Sequence, residues 1–112
     1  VLFGGLAKEK PYPGSTNVTS VNGAVEKMMN GLILQVAPVR INAIHPGIVA
    51  DSWFWEDKQP VLDAVLAKTP TGKPVLTSHI VDATVFLLEN ASANGVNLQI
   101  DGGHQARNLI FD

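Results

Sequence analysis

Apolar positions recur along the chain with two periods. Val18, Val21, Val25, Met28, Met29, Leu32 and Val36 lie three and four apart, and predict an amphipathic helix that Pro38 terminates. Ser15 or Thr16 stands where that helix needs an N-cap. A shorter helical run, Val61, Leu62, Val65 and Leu66, is broken by Pro70, Gly72 and Pro74. A third, Ile80, Val81, Thr84, Leu87 and Leu88, follows a capping residue at Thr77 or Ser78. Between these runs the pattern changes. Val1-Leu2-Phe3 is a short apolar strand stopped by Gly4-Gly5, and a Pro- and Gly-containing loop follows. Val39, Ile41 and Ile44 mark a strand buried on both faces, as in a parallel sheet, which Pro46-Gly47 stops. Proline lacks a ladder donor, and glycine permits backbone angles closed to other residues. Val96, Leu98 and Ile100 alternate with Asn97, Gln99 and Asp101, as in a strand with one wet face. Asp101-Gly102-Gly103 turns the chain there, and a tail follows. The predicted fold class is α/β: three parallel strands with crossover helices, half of a doubly wound sheet. Ligands of such sheets bind beyond the carboxyl ends of the strands, so the Pro46-Gly47 turn marks the expected site.

Composition narrows the functional classes. The hydrophobic share of the 112 residues is 46% and the charged share 16%. That is little charge for a small domain that must cover its own surface, so part of the surface should be covered by further chain or by other subunits. A net charge of −2 provides no basic field for nucleic acid. With no cysteine there is neither a disulfide framework nor a thiolate metal site. His45, His79 and His104 lack ligand spacing, so no metal is expected. No apolar run approaches a membrane span, and a cytoplasmic setting is expected.

The wording of three stretches is more specific than their pattern. Arg40-Ile41-Asn42-Ala43-Ile44-His45-Pro46-Gly47-Ile48-Val49 resembles the Arg-Val-Asn-x-Ile-x-Pro-Gly-x-Val segment of the short-chain dehydrogenase/reductase family. Asn22-Gly23-Ala24-Val25-Glu26 precedes it, where the family has Lys-x-Ala, and Leu98-Gln99-Ile100-Asp101-Gly102-Gly103 resembles the family's terminal Val-Asp-Gly-Gly. The resemblance covers nearly all of residues 1–112 and identifies them with the C-terminal half of a single Rossmann-like oxidoreductase domain. It implies NAD or NADP as cofactor and a carbonyl or alcohol as substrate.

Family members work with a Ser, a Tyr and, four residues on, a Lys: a general acid whose pKa is tuned by a neighbouring cation. Here those positions fall on Gly5, Val18 and Asn22. None supplies a titratable proton or a charge, although Asn22 can hydrogen-bond a ribose hydroxyl. The only tyrosine, Tyr12, lies on the preceding loop, where it is either a half-buried aromatic or a displaced acid. By resemblance, Pro46, Gly47, Ile48 and Val49 bind the nicotinamide carboxamide. Asp51 takes the place of a Thr that contacts pyrophosphate, and there it either repels phosphate or points to water. Trp53, Phe54 and Trp55 stand at the family's substrate lid, and either line an apolar substrate pocket or pack elsewhere. The glycine-rich dinucleotide fingerprint is absent.

Two readings follow. In one, the chain is a segment of an NAD(P)-dependent oxidoreductase, incomplete and inactive by itself. In the other, it is a homologue that has lost catalysis and acts by binding or assembly. Either way a dimer or tetramer is expected, formed through the helix near Thr77–Glu89 and the strand Val96–Ile100. That strand should be an edge, and it carries no Lys or Pro to protect it. Phe86 is expected to face the partner while Leu87 and Leu88 serve the core.

Overall fold

The computed structural model describes residues 1–106, and the end of the expected tail, 107–112, lies outside the described residues. Three parallel strands, β1 (Leu2–Phe3), β2 (Ala43–Pro46) and β3 (Asn97–Ile100), lie side by side in chain order. Three helices connect them: α1 (Thr16–Gln35) between β1 and β2, then α2 (Gln59–Ala67) and α3 (Thr77–Glu89) between β2 and β3. Leu2 pairs with Ala43, and Ala43 in turn with Asn97, so the central strand is hydrogen-bonded on both sides. The fold class is the one expected, and β3 is an edge. No helix among the described residues is long and apolar enough to cross a membrane.

The core lies between β2 and α3. Ile44, Leu87 and Ala93 are buried, with Ile80, Ala83, Val96, Leu98 and Ile100 packed around them. The alternation read in β3 is present: Leu98 and Ile100 face inward while Asn97 and Gln99 are exposed. The central strand is shorter than its apolar run. Val39 is exposed, the Arg40 side chain is spent on α3, and Ile41 N donates to Asn94 Oδ1 rather than to a strand.

Two helices turn differently from their predicted stripes. On α1 the inward residues are Asn22, Val25, Met29, Leu32 and Ile33, while Val18, Val21 and Met28 are exposed. On α3 Val81 and Leu88 are exposed, so Leu88 does not serve the core. An apolar run marks more positions than one 3.6-residue face can bury, and contact with the sheet decides which are covered. The caps differ too. Ser15 precedes α1, but its hydroxyl accepts from Tyr12 N and pairs with Thr19 Oγ1. Neither Thr77 nor Ser78 caps α3: Leu76 holds that position, and Asp51 supplies the carboxylate.

Candidate functional site

The three strands end at one edge, and the segments leaving them line a single cavity of about 790 Å³. Gly4 and Gly5 follow β1, Pro46, Gly47 and Ile48 close β2, and Asp101, His104 and Gln105 follow β3. Val18 and Asn22 reach it from α1. Val61, Leu62, Val65 and Leu66 of α2 form an apolar wall across from them. The volume falls in the range of about 300–1,000 Å³ usual for small-molecule sites.

Close approach explains the glycines of this floor. The backbone of Gly47 is not in the left-handed region, contrary to the expectation that an unusual turn requires it. A Cβ there would stand 2.9 Å from Cβ of Asp101, so the turn after β2 packs directly on the turn after β3. A Cβ on Gly4 would run into the ring of His45, which is buried and hydrogen-bonded through Nε2 to Asn97 Oδ1 at 2.7 Å. Asp101 holds its own turn: Oδ1 accepts from Gly103 N, and Oδ2 from Gln105 N, both at 2.9 Å. Gly102 and Gly103 are left-handed, with φ of 66° and 88°, where a side chain would be strained.

Gly5, Val18 and Asn22, far apart along the chain, share this cavity with Pro46, Gly47 and Ile48. The loop between β1 and α1 is fastened to the helix. Lys8 Nζ donates to the Gly5 carbonyl at 2.8 Å and lies 3.9 Å from Glu26 of α1. Thr19 Oγ1 donates to Ala7 O and pairs with the buried Ser15 hydroxyl, which accepts from Tyr12 N. This network sets Lys10 and Tyr12 on the cavity wall.

The model of the SDR-like Rossmann domain matches residues 1–106. The chain belongs to the short-chain dehydrogenase/reductase family. It is 27% identical over 106 residues to the short-chain dehydrogenase/reductase malC of Malbranchea aurantiaca, covering 91% of this chain and 40% of that protein. It is 30% identical over 107 residues to the L-xylulose reductase of Mus musculus, covering 89% of this chain and 43% of the reductase. Among solved structures, a small-chain dehydrogenase in complex with NADPH superposes with a TM-score of 0.85 at 25% identity, over 95% of this chain and 50% of the other. The MalC reductase/Diels-Alderase of M. aurantiaca superposes at 0.84 with 28% identity, over 95% and 42%. The chain thus spans less than half the length of the curated relatives it matches.

Within this short-chain dehydrogenase fold, four of the expected site residues lie elsewhere. Asp51 does not face the cavity. Its Oδ1 accepts from both N and Oγ1 of Thr77, each at 2.8 Å, so it closes the N-terminus of α3. The Thr77 amide first, and then its hydroxyl, hold this carboxyl below the ordinary carboxylate range. A carboxylate is favoured there because the first turn of a helix presents unpaired N–H groups. Val49 is drawn into a parallel bridge with Val75 and leaves the cavity to Ile48. Of the three aromatics only Trp55 lines the cavity; Trp53 is 79% exposed, and Phe54 lies under Lys58 Nζ, 4.2 Å from the ring centre.

Several cavity residues carry no sequence signal for a site. The apolar face of α2 was legible as a helix, but periodicity does not say what a face looks at. Asp101 enters the cavity from the Asp101-Gly102-Gly103 motif, which the sequence reads only as a turn, and Thr69, His104 and Gln105 enter it from segments that carry no motif of their own. Chemically, the arrangement can enclose an apolar ring against Val18 and α2 and offer the Asn22 amide to a polar group. Among the family's catalytic positions it holds no acid, base or cation.

Proposed function

We propose that this chain forms the nicotinamide- and substrate-facing half of a short-chain NAD(P)-dependent oxidoreductase, and that by itself it transfers no hydride. The observation that carries this reading is the convergence of Gly5, Val18, Asn22 and the Pro46-Gly47-Ile48 turn on one cavity at the carboxyl edge of the sheet. That edge is where open α/β sheets bind their ligands. The residues fit the nicotinamide end of a dinucleotide. Backbone groups follow Pro46, the Asn22 amide makes no hydrogen bond within the described residues, and the volume suffices for a flat ring and a sugar. When bound, the nicotinamide supplies a hydride. Asn22 and the turn orient it, and α2 with Trp55 excludes water. No side chain at Val18 delivers the proton to a carbonyl oxygen.

The second reading is a homologue that binds without catalysis, favoured by Gly5 and Val18 themselves. An assay of this chain with NADH or NADPH, ketones and alcohols separates the readings from an active enzyme. Turnover above background that persists in Tyr12→Phe contradicts the absence of hydride transfer. Assembly into a dimer or tetramer belongs to the same proposal, through α3 and β3. Val81, Val85 and Leu88 make an exposed apolar stripe on α3, beside an exposed Phe86. Val85→Lys or Phe86→Lys in the full-length protein should reduce particle size in light scattering while helical circular dichroism is kept.

A further inference from the structure

Among the described residues, two side-chain polar atoms are buried without a hydrogen-bond partner: His45 Nδ1 and Gln105 Oε1. Leaving water without a partner costs stability, so such atoms in native structures call for an explanation. His45 does not line the cavity: its Nε2 pairs with Asn97 across the sheet, and its Nδ1 stands against Gly4. Gln105 does line it. The backbone that carries this side chain is held firmly. Gln105 N donates to Asp101 Oδ2 at 2.9 Å, and Asp101 lies against Gly47. Gly102 packs on Thr69 and Gly103 on Pro70, while Thr71 N donates to the Gly102 carbonyl at 3.2 Å. Gln105 thus enters the cavity from a turn wedged between the Pro46-Gly47 turn and the segment that follows α2.

We propose that Gln105 is the polar recognition group at the substrate end of the cavity, and that its side-chain oxygen accepts a hydrogen bond from a hydroxyl or N–H of the substrate. An amide oxygen accepts and cannot donate, so the group it selects is a donor. The torsion that carries a terminal amide is broad and roughly two-fold, so Oε1 turns toward a ligand without backbone movement. The surroundings fix the rest of the ligand. Leu62, Val65 and Leu66 of α2, with Trp55 and Val75, offer only apolar surface to its body. The Asp101 carboxylate belongs to the same turn and disfavours an anion beside Gln105, while the lysine of the cavity, Lys10, stands on the loop after β1. The substrate class is therefore a neutral cyclic ketone or alcohol, apolar in body, with one further hydroxyl or N–H. A polyol would leave hydroxyls unpaired against α2.

This role rests on the reading of the cavity as the nicotinamide and substrate site, and the test keeps the two apart. Binding of NADP+ and NAD+ to the full-length protein is measured first. The wild type and its Gln105→Met variant, each with the oxidised cofactor present so that no ketone is reduced, are then titrated calorimetrically with two probes. These are a hydroxytetralone and the methyltetralone of the same substitution pattern, which differ in a donor at nearly constant shape. The ratio of hydroxyl to methyl affinity should fall about tenfold from wild type to variant. An unchanged ratio overturns the role of Gln105. Cofactor binding without binding of either tetralone overturns the substrate class and leaves the site reading standing. Failure of both cofactors to bind removes the site reading, and this role with it. If Gln105→Met does not fold, the wild type still decides. In NMR of labelled full-length protein, the Gln105 side-chain amide should shift on saturation with the hydroxytetralone and stay in place with the methyltetralone. Equal shifts with both, or none with either, refute the recognition role.

Discussion

Helices α2 and α3 both lie between β2 and β3, yet they are held in opposite ways. Helix α3 is fixed at both ends by side chains that flank the central strand. Ahead of β2, Arg40 donates through Nη1 to the carbonyls of Leu87 and Ala93 and through Nη2 to that of Leu88, closing the C-terminal end. Beyond β2, Asp51 closes the N-terminal end. Between them Leu87 is buried against Ile44. Helix α2 has no side-chain cap at its start, buries none of its residues fully, and turns its leucines and valines toward a cavity instead of the sheet. The contrast separates scaffold from wall. A helix that must aim the Pro46-Gly47 turn is clamped to the strand carrying it. A helix that walls the cavity keeps its apolar face toward that cavity.

The contrast predicts unequal responses to similar truncations. Leu87→Ala removes a buried side chain from the contact between α3 and β2, and should cost about 3 kcal/mol in denaturant unfolding. Leu66→Ala on α2 removes a side chain that is 36% exposed. It should cost under about 1 kcal/mol, with its effect showing in ligand affinity. Equal losses at the two positions would erase the distinction. The smallest effect is electrostatic. The carboxyl of Asp51 is held below its ordinary pKa by Thr77, so the folded state binds its proton less readily than the unfolded chain does. Its contribution is therefore present above the unfolded value of about 3.9 and fades as the pH falls through the lower folded value. Asp51→Asn should flatten the acid side of the stability profile and leave it unchanged in form near neutrality. An acid limb identical to wild type would remove the cap from the account.

Much of this was legible in the residues. The short apolar strand before Pro46-Gly47, the alternation in Val96–Ile100 and the family wording around both located the sheet and the edge where the cavity lies. The same wording points Gly5, Val18 and Asn22 to one site, and all three line one cavity. What escaped depends on pairs distant in sequence. Asp51 meets Thr77 across 26 residues. Gly47 needs to be glycine because Asp101 lies against it, and Arg40 is spent on the far end of α3. Local propensity carries no record of such pairings. Hydrophobic periodicity also fails to tell a face that meets a sheet from one that meets a cavity, so it marks α2 as a helix but not as a wall. Trp53 is the complementary case: a large aromatic in a loop invites a ligand role, and the structure leaves this one exposed and outside the cavity.

The central claim is that this chain presents the Pro46-Gly47-Ile48 turn and Asn22 to a nicotinamide nucleotide in one cavity. Isotope-labelled full-length protein, titrated with NADPH and followed by NMR, addresses it residue by residue. The account predicts saturable shifts in the backbone amides of Gly47 and Ile48 and in the side-chain amide of Asn22, with the Trp53 indole unmoved. Saturation that leaves Gly47, Ile48 and Asn22 in place while other residues shift would contradict it.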